Sequence, residues 1–275
     1  MLELCRLAVK FCRPARLSLF GSDEIKKREP LAVVQNSTCL HKIFKERTMA
    51  NAVNSAQYQA RIKQAETLFE GRNFTRCQTI NLGSGYEIVK DAYGPSTASF
   101  SGGEYTLFDT HKAQIKSWRC IDDRAEFFSL IRHADGKFYL VFRQDLYGYS
   151  VLDLASAQIM RFVPDAWLDG KESFIWDGVH YLRGWDALAA SGCYWGAPNG
   201  VHLVSFAEPM SEEQRYVDVL DCMQSGYDIY EQADFAGFEG NELSLKCFRA
   251  DTLRYENVKI SRERYCEWIR EAKRL

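Results

Sequence analysis

The sequence predicts an all-β chain of about four small antiparallel sheets of four strands each, with one helix before them and one after. Two observations carry this prediction. The segment Phe-Asp-Thr-His-Lys-Ala-Gln-Ile around Asp109 is matched 44 residues later by Leu-Asp-Leu-Ala-Ser-Ala-Gln-Ile around Asp153. Extended aromatic and β-branched runs, such as those between Lys137 and Phe162, alternate with polar turns. A period of roughly 40 to 50 residues with several short strands per unit is typical of a β-repeat array, in which each sheet covers its neighbour.

Four units can be marked on this basis. The predicted strand segments of the first unit are Thr79–Lys90, Thr97–Phe100, Tyr105–Phe108 and Gln114–Trp118, and those of the second are Phe127–Ile131, Phe138–Phe142, Tyr149–Leu154 and Gln158–Val163. Those of the third unit are Ser173–Trp176, Trp185–Trp195, Gly200–Phe206 and Tyr216–Leu220. Those of the fourth unit are Tyr227–Tyr230, Asp234–Phe238, Leu243–Phe248 and Tyr255–Ile260. Asp135-Gly136 between two apolar runs is a strong hairpin signal. Gly83-Ser-Gly85 is similar to a nucleotide-binding glycine loop, but a strand rather than a helix follows it, so we interpret it as a hairpin turn.

Two helices are predicted at the ends of this array. Within residues 50–70, Tyr58, Ile62 and Phe69 recur at helical steps, and Gly71 follows as a stop signal. Within residues 261–274, Ser261 is the predicted cap and Tyr265 and Trp268 belong to the buried stripe. Residues 49–275 therefore form a single predicted β-repeat domain.

Residues 1–48 differ from the rest of the chain. They show no sustained periodicity and carry ten Lys and Arg against five Asp and Glu, a net charge of +5, which leaves −7 for residues 49–275. Lys45-Glu46 can be encoded by a bacterial ribosome-binding sequence ahead of Met49. We therefore expect a poorly structured extension and hypothesise that the natural product begins at Met49, in a bacterial protein.

Composition excludes several classes of function. An acidic body argues against a nucleic-acid partner, because neutralising phosphates needs clustered cations. The longest apolar runs are strand-sized and too short to cross a bilayer. Nine scattered cysteines without a Cys-x-x-Cys pair indicate buried thiols in a reducing compartment, hence a cytoplasmic protein. The five histidines are too widely separated to define a metal site, and no cofactor motif is present.

The most unusual composition lies between Trp176 and Asn199, where aromatic residues stand beside Gly, Pro and Asn. On loops, such residues can form a recognition surface, because Tyr and Trp combine a large contact area with a polar group. The predicted binding residues are Trp176, Asp177, Tyr194, Trp195 and Asn199. The alternative interpretation is that these rings fill the space between neighbouring sheets.

An enzyme or a small-molecule-binding protein is the competing hypothesis. Its site would be a central pocket near Asp177, His180 and Cys193, with His180 and Cys193 as the candidate catalytic pair. Asp177 and His180 could hold a polar ligand or could tie two units together. A buried structural cysteine is the simpler interpretation of Cys193, since the sequence places no activating cation beside it.

The strand-Asp-turn-strand segment Val151-Leu-Asp-Leu-Ala-Ser-Ala-Gln-Ile resembles the outer strands of WD40-like β-propeller repeats. The resemblance covers about residues 75–260, although no Gly-His opening or Trp-Asp closing recurs in each unit. It implies a propeller-like array, closed or open, and carries over no functional residue. A two-sheet β-sandwich is the structural alternative.

The sequence therefore favours a non-catalytic cytoplasmic protein-interaction module. Its acidic body and aromatic surface would bind a protein partner, with an immunity or antitoxin role against a basic toxin as one specific form.

Overall fold

Antiparallel sheets account for most of the structure. The computed structural model describes residues 51–70, 73–94, 101–121, 126–212 and 215–272, and within them fifteen strands form four sheets. The prediction of an all-β fold with four antiparallel sheets is confirmed, and the two-sheet sandwich alternative is wrong. The predicted extension over residues 1–48 and the predicted strand at Thr97–Phe100 lie outside the described residues.

The first two sheets are four-stranded meanders, in which each strand pairs with the next along the chain. The first sheet contains strands β1 to β4, at Phe74–Gly83, Tyr86–Tyr93, Gly102–Phe108 and Gln114–Cys120. The second contains β5 to β8, at Phe128–Arg132, Phe138–Phe142, Tyr149–Asp153 and Gln158–Phe162. Gly83-Ser84-Gly85 forms the β1–β2 turn with positive φ at all three residues, and Asp135-Gly136 forms the β5–β6 turn. Both predicted hairpins are confirmed.

The third sheet has four strands and the fourth has three. Strands β9 to β12 lie at Ile175–Leu182, Ala187–Cys193, Asn199–Ser205 and Tyr216–Asp218, and strands β13 to β15 lie at Tyr230–Glu239, Glu242–Arg249 and Arg254–Ser261. The strand predicted at Tyr227–Tyr230 is wrong, because Gly226–Ile229 forms a helical turn instead. This turn approaches the preceding helix so closely that a Cβ on Gly226 would lie 2.0 Å from the Leu220 carbonyl oxygen.

The two matching Asp segments both form hairpin turns that an Asp side chain stabilises. The Asp109 carboxylate accepts hydrogen bonds from the backbone N–H groups of His111 and Ala113 in the β3–β4 hairpin. The Asp153 carboxylate accepts them from Ala155 and Ser156 in the β7–β8 hairpin. In both hairpins an Asp side chain satisfies backbone donors that the turn leaves without strand partners.

Helices flank the sheets as predicted. Helix α1 spans Ala56–Ala65 between two short 3-10 turns, and α4 spans Arg262–Ala272. Ser261 accepts a hydrogen bond from the Arg264 N–H, which confirms its predicted capping role. Two further one-turn helices, α2 at Val219–Cys222 and α3 at Gly226–Ile229, connect the third sheet to the fourth. Among the described helices, none combines the length and the apolar character needed to span a membrane.

Each sheet packs on the next through a cluster of buried apolar residues. Trp118 of the first sheet lies 4.5 Å from Phe142 of the second, measured between ring centroids. Tyr149 of the second sheet stacks on Trp176 of the third at 4.3 Å. The third and fourth sheets share a cluster that also includes Tyr265 and Trp268 of α4. Within the described residues, each sheet therefore packs against the next sheet along the chain, from the first to the fourth.

In the first and the fourth sheet, a row of polar side chains lies on the face opposite these clusters. In the first sheet, one cross-strand row consists of Cys77, Asp91, Glu104 and Arg119. In the fourth, a row joins Asp234, Lys246 and Asn257. None of the described core clusters joins the fourth sheet to the first. This arrangement is compatible with a propeller-like array.

Helix α1 is held on the second sheet by one buried tyrosine. Tyr58 is 1 % exposed and its hydroxyl donates to Asp145 Oδ2 at 2.9 Å. The same carboxylate oxygen accepts from Arg161 Nη2 at 2.6 Å. The hydroxyl therefore links the helix to a charged group of the sheet.

The Tyr58→Phe variant is expected to lose about 1 to 2 kcal/mol of unfolding free energy, because it removes a hydrogen bond to a charged acceptor while keeping the ring. Urea unfolding followed by circular dichroism measures this. The matched control is Tyr255→Phe, at a ring that is 48 % exposed, for which the change is expected to stay below about 0.5 kcal/mol. Equal effects in the two variants would contradict the anchoring role.

Candidate functional site

A cavity of about 410 Å³ lies where the second, third and fourth sheets meet. Its walls are Ser129–Arg132 of β5, Val179–Leu182 of β9, and Phe235 and Phe238 of β13. Its volume falls within the range of roughly 300 to 1,000 Å³ typical of ligand pockets. We call it the inter-sheet cavity.

The first strand of each of these three sheets contributes to the cavity. Strands β5, β9 and β13 each pair with a neighbour on one side only, so each has a free edge in its own sheet. A free edge carries backbone N–H and C=O groups that can bind another extended chain or a polar ligand. The cavity wall therefore offers backbone hydrogen-bonding groups as well as side chains.

His180 and Phe235 form an aromatic pair on the cavity wall. Their rings are nearly parallel, at 8°, and their centroids are 3.8 Å apart. Desolvation lowers the pKa of His180 below its ordinary value, so the ring is neutral at pH 7. A neutral imidazole stacked on a phenyl ring presents one donor, one acceptor and a flat apolar surface.

A β-bulge in β9 changes the alternation of side chains at Asp177. In the pairing of β9 with β10, Gly178 lies opposite Ser191 and Trp176 lies opposite Gly192, so Asp177 is the extra residue. Asp177 and His180 are both exposed. These two predicted site residues are therefore both accessible on the first strand of the third sheet.

Charged neighbours act on Asp177 in opposite directions. Desolvation by the surrounding protein raises the pKa of its carboxyl group, the buried Arg143 lowers it, and Asp234 of β13 raises it. Arg143 also donates to the Trp176 carbonyl oxygen at 2.8 Å. The carboxylate keeps contact with water, so we expect the net upward shift to be modest.

The Asp177→Asn variant is expected to be as stable as the wild type at pH 7, or slightly more stable. A carboxyl group whose folded pKa is raised stabilises the fold below its unfolded pKa of about 4, and this contribution is lost as the pH rises through the folded pKa. Asparagine mimics the neutral form at every pH. Urea unfolding at pH 7 and pH 4 checks this, and a loss of more than about 1 kcal/mol at pH 7 would show that Asp177 is a structural partner of Arg143 instead.

Asn199, like Asp177, lies near Asp234 of β13. Its side-chain amide donates to Asp234 Oδ1 at 3.1 Å, and Gln232 donates to the other oxygen of that carboxylate at 2.6 Å. This predicted binding residue therefore holds a carboxylate of the fourth sheet from the third. The charge of Asp234 is also one of the causes that raise the pKa of Asp177.

The predicted aromatic residues take part in packing. Trp176 lies within strand β9, is 6 % exposed and stacks on Tyr149. Tyr194 is half-buried, with its ring against Phe174 at 5.4 Å. Trp195 is half-buried and donates its indole N–H to the Tyr147 hydroxyl. These positions match the interpretation that the rings fill space between sheets, and their role in binding stays a prediction.

The structure does not bring His180 and Cys193 together. His180 lies opposite Ala189, whereas Cys193 lies opposite Ile175 at the other end of the β9–β10 pair. Four residues along β10 separate these positions, which is about 13 Å at the usual rise of a strand. Cys193 is 5 % exposed. A nucleophile and its base need hydrogen-bonding distance, which this pair lacks.

Of the ten residues that line the cavity, the sequence analysis selected only His180 as a site residue. Ser129 and Arg132 lie on β5 and Phe235 lies on β13, the first strands of the second and fourth sheets, and these three residues carry no motif. Their order in the chain was the available signal: first strands of successive repeat sheets lie near one another in a radial array. Within the described part of the chain, no three His, Cys, Asp or Glu side chains cluster as metal ligands would.

Comparisons with known proteins give no family. No protein-family model matches the chain, and neither the curated proteins nor the solved structures include a similar one. The fold and the cavity therefore define the chain as an all-β protein of four antiparallel sheets with a cavity between three of them.

Proposed function

We propose that the chain is a non-catalytic binding module that holds its ligand in the inter-sheet cavity. The observation that carries this proposal is the composition of the cavity wall: one aromatic pair, a few polar side chains and three free strand edges surround about 410 Å³. Binding sites of this size combine apolar surface with a few polar groups that fix orientation.

The polar side chains of the cavity wall support binding without a chemical step. Ser129, Arg132, His180 and Tyr181 are the members of the lining with polar side-chain groups. The pairing of β9 with β10 places His180 opposite Ala189 and Cys193 four residues further along β10, so these two side chains do not form a nucleophile–base pair. An activated nucleophile needs a base that is hydrogen-bonded to it or close enough to become so. The arrangement suits recognition better than covalent catalysis.

A protein partner fits this proposal if it reaches the cavity with a narrow segment. The predicted aromatic surface is half-buried or buried, so the cavity and its free edges offer the more accessible recognition site. The net charge of −7 over residues 49–275 would favour a basic partner. An immunity or antitoxin role remains one form of this proposal.

A fragment screen by thermal shift tests the proposal. Ser129→Phe places a ring in the cavity, and Ser117→Phe makes the same change on the exposed face of β4. Fragments that raise the unfolding temperature of the wild type are expected to stabilise Ser117→Phe equally and Ser129→Phe much less. If all three proteins respond to the same fragments, the site lies elsewhere and the proposal is wrong.

A further inference from the structure

We propose that the inter-sheet cavity binds a flat, uncharged heteroaromatic ligand that stacks on the ring of His180. This inference deepens the proposed function and rests on it. It depends on a histidine ring that is stacked on one side only, on the balance of charge around the cavity, and on the backbone groups of the cavity wall.

The ring of His180 is stacked on one side only. Phe235 lies parallel to it at 3.8 Å between centroids, and among the described residues no second aromatic ring stacks on His180. His180 is exposed although it lines the cavity. A further aromatic ring can stack on such a surface, because parallel offset rings attract each other. The cavity wall therefore offers the beginning of a stack.

The same chain contains a completed stack around a histidine. The His202 ring lies between Phe174, at 3.8 Å and 14°, and Tyr216, at 5.3 Å and 9°. His202 is 2 % exposed, so the protein itself covers this ring. Within the described residues, His180 differs from His202 because a second parallel ring is missing. A ligand ring can take that place.

The charges at one end of the cavity balance. Arg132 is the one residue with a permanent charge among those that line the cavity, and Arg183 donates to its carbonyl oxygen at 3.2 Å. The Asp186 carboxylate accepts from the hydroxyl of the cavity residue Tyr181 at 2.9 Å. Asp135 lies three residues after Arg132, in the β5–β6 turn. Two guanidinium groups and two carboxylates carry no net charge.

The carboxylates of β9 and β13 outside the cavity also have cationic neighbours. Arg143 donates to the Trp176 carbonyl oxygen, next to Asp177 in the chain. Lys246 lies opposite Asp234 in the pairing of β13 with β14. A ligand with a net charge would therefore meet no opposite net charge to offset its loss of water. An uncharged ring avoids this cost.

The size and the backbone groups of the cavity suit a ligand of two fused rings. A protein cavity of about 150 Å³ is large enough to bind benzene, and the inter-sheet cavity has about 410 Å³. The free edges of β5, β9 and β13 add backbone N–H donors and C=O acceptors to its wall. A heteroaromatic ring with a donor and an acceptor on one edge can bond to such groups, whereas a hydrocarbon cannot.

Isothermal titration calorimetry with 7-azaindole tests the inference. This probe is an uncharged pair of fused rings with an N–H donor beside an acceptor nitrogen, and it is expected to bind at millimolar concentration. Indole lacks the acceptor nitrogen and is expected to bind about three- to tenfold more weakly. δ-Valerolactam keeps a donor beside an acceptor but has no aromatic ring, and it is expected not to bind detectably.

Variants of His180 test the stacking itself. His180→Ala is expected to weaken the binding of 7-azaindole about five- to tenfold, and His180→Phe by less than about twofold, because phenylalanine keeps a flat ring. The matched control is His111→Ala, the same change in an exposed turn outside the cavity, which should leave binding unchanged. In NMR spectra the ligand protons should shift upfield with the wild type and His180→Phe, and less with His180→Ala, because stacked rings shield them.

The outcomes separate this inference from the proposed function. If 7-azaindole fails to bind at millimolar concentration while fragments still distinguish Ser129→Phe from Ser117→Phe, the cavity binds another class of ligand and the inference is wrong. Equal affinities of 7-azaindole and indole, or of 7-azaindole and δ-valerolactam, would also overturn it, and these comparisons need no variant that might fail to fold. Equal losses in His180→Ala and His111→Ala would do the same. If neither 7-azaindole nor fragments bind in the cavity, both proposals fail.

Discussion

Replacing Gly148 with alanine is expected to lower the unfolding free energy by at least about 3 kcal/mol, a large share of the roughly 5 to 15 kcal/mol that stabilises a typical domain. Gly148 is the last loop residue before β7, with φ at +81°, and a Cβ there would lie 2.0 Å from the Phe162 carbonyl oxygen. The left-handed backbone alone costs about 1 to 2 kcal/mol for a non-glycine residue. The remainder arises because the β7–β8 pair must shift to relieve the clash.

The Gly136→Ala variant separates these two contributions. Gly136 has a similar φ of +89° in the β5–β6 turn, but no atom lies within 4 Å of the position of its added Cβ. The Gly136→Ala variant is expected to lose only the part of the unfolding free energy that comes from the left-handed backbone, about 1 to 2 kcal/mol. Urea unfolding of both variants measures the difference. Losses that agree within error would mean that the close approach of Gly148 to β8 does not exist.

The Asp218→Ala variant is expected to lose about 2 to 4 kcal/mol at pH 7, because the carboxylate joins several groups in a buried site. It accepts hydrogen bonds from the Leu220 N–H at 2.9 Å and the Tyr227 hydroxyl at 2.7 Å. The His202 Nε2 lies 3.4 Å away. The change therefore removes the cap of α2 and leaves buried polar groups without this acceptor.

The loss in Asp218→Ala is expected to shrink in acid. Burial raises the pKa of Asp218, but the contacts with His202, Tyr227 and the Asp221 N–H outweigh burial and leave the pKa below its ordinary value. A carboxylate with a depressed folded pKa stabilises the fold above its unfolded pKa of about 4, and the stabilisation disappears as the pH falls through the folded pKa.

Urea unfolding of wild type and Asp218→Ala from pH 7 to pH 3 tests this behaviour. His202, Asp221, Tyr194 and Cys222 also lie near this site and are present in both proteins, so the contributions that do not depend on Asp218 cancel in the difference between the two curves. A difference that stays constant, or grows as the pH falls, would contradict the depressed pKa.

The sheets and their turns were predictable because their signals are local. Asp109 and Asp153 each accept hydrogen bonds from backbone groups a few residues ahead, so the same short pattern gives an Asp-stabilised hairpin turn in two places. The Asp135-Gly136 turn likewise depends on adjacent residues. The predicted strand at Tyr227–Tyr230 is wrong because contacts with the preceding helix decide the structure there. The Tyr227 hydroxyl donates to Asp218, nine residues earlier, and Gly226 packs on the Leu220 carbonyl oxygen of α2.

The candidate site was only partly predictable. Asp177 and His180 were selected from their local composition, but their common exposure depends on a bulge that the sequence pattern does not reveal. Ser129, Arg132 and Phe235 become neighbours of His180 only where three sheets meet. Trp176 stood out as a surface aromatic, yet it packs on Tyr149 of the preceding sheet. Contacts between sheets join residues that lie far apart in the chain, so local sequence patterns do not predict them.

The most direct measurement of the proposed binding site is an amide NMR titration of the isotope-labelled protein with the fragments that raise its unfolding temperature. The account predicts chemical-shift changes concentrated at Ser129–Arg132, Val179–Leu182 and Phe235–Phe238, the three segments that line the cavity. Changes concentrated on the first sheet or on α4, with these three segments unaffected, would contradict it.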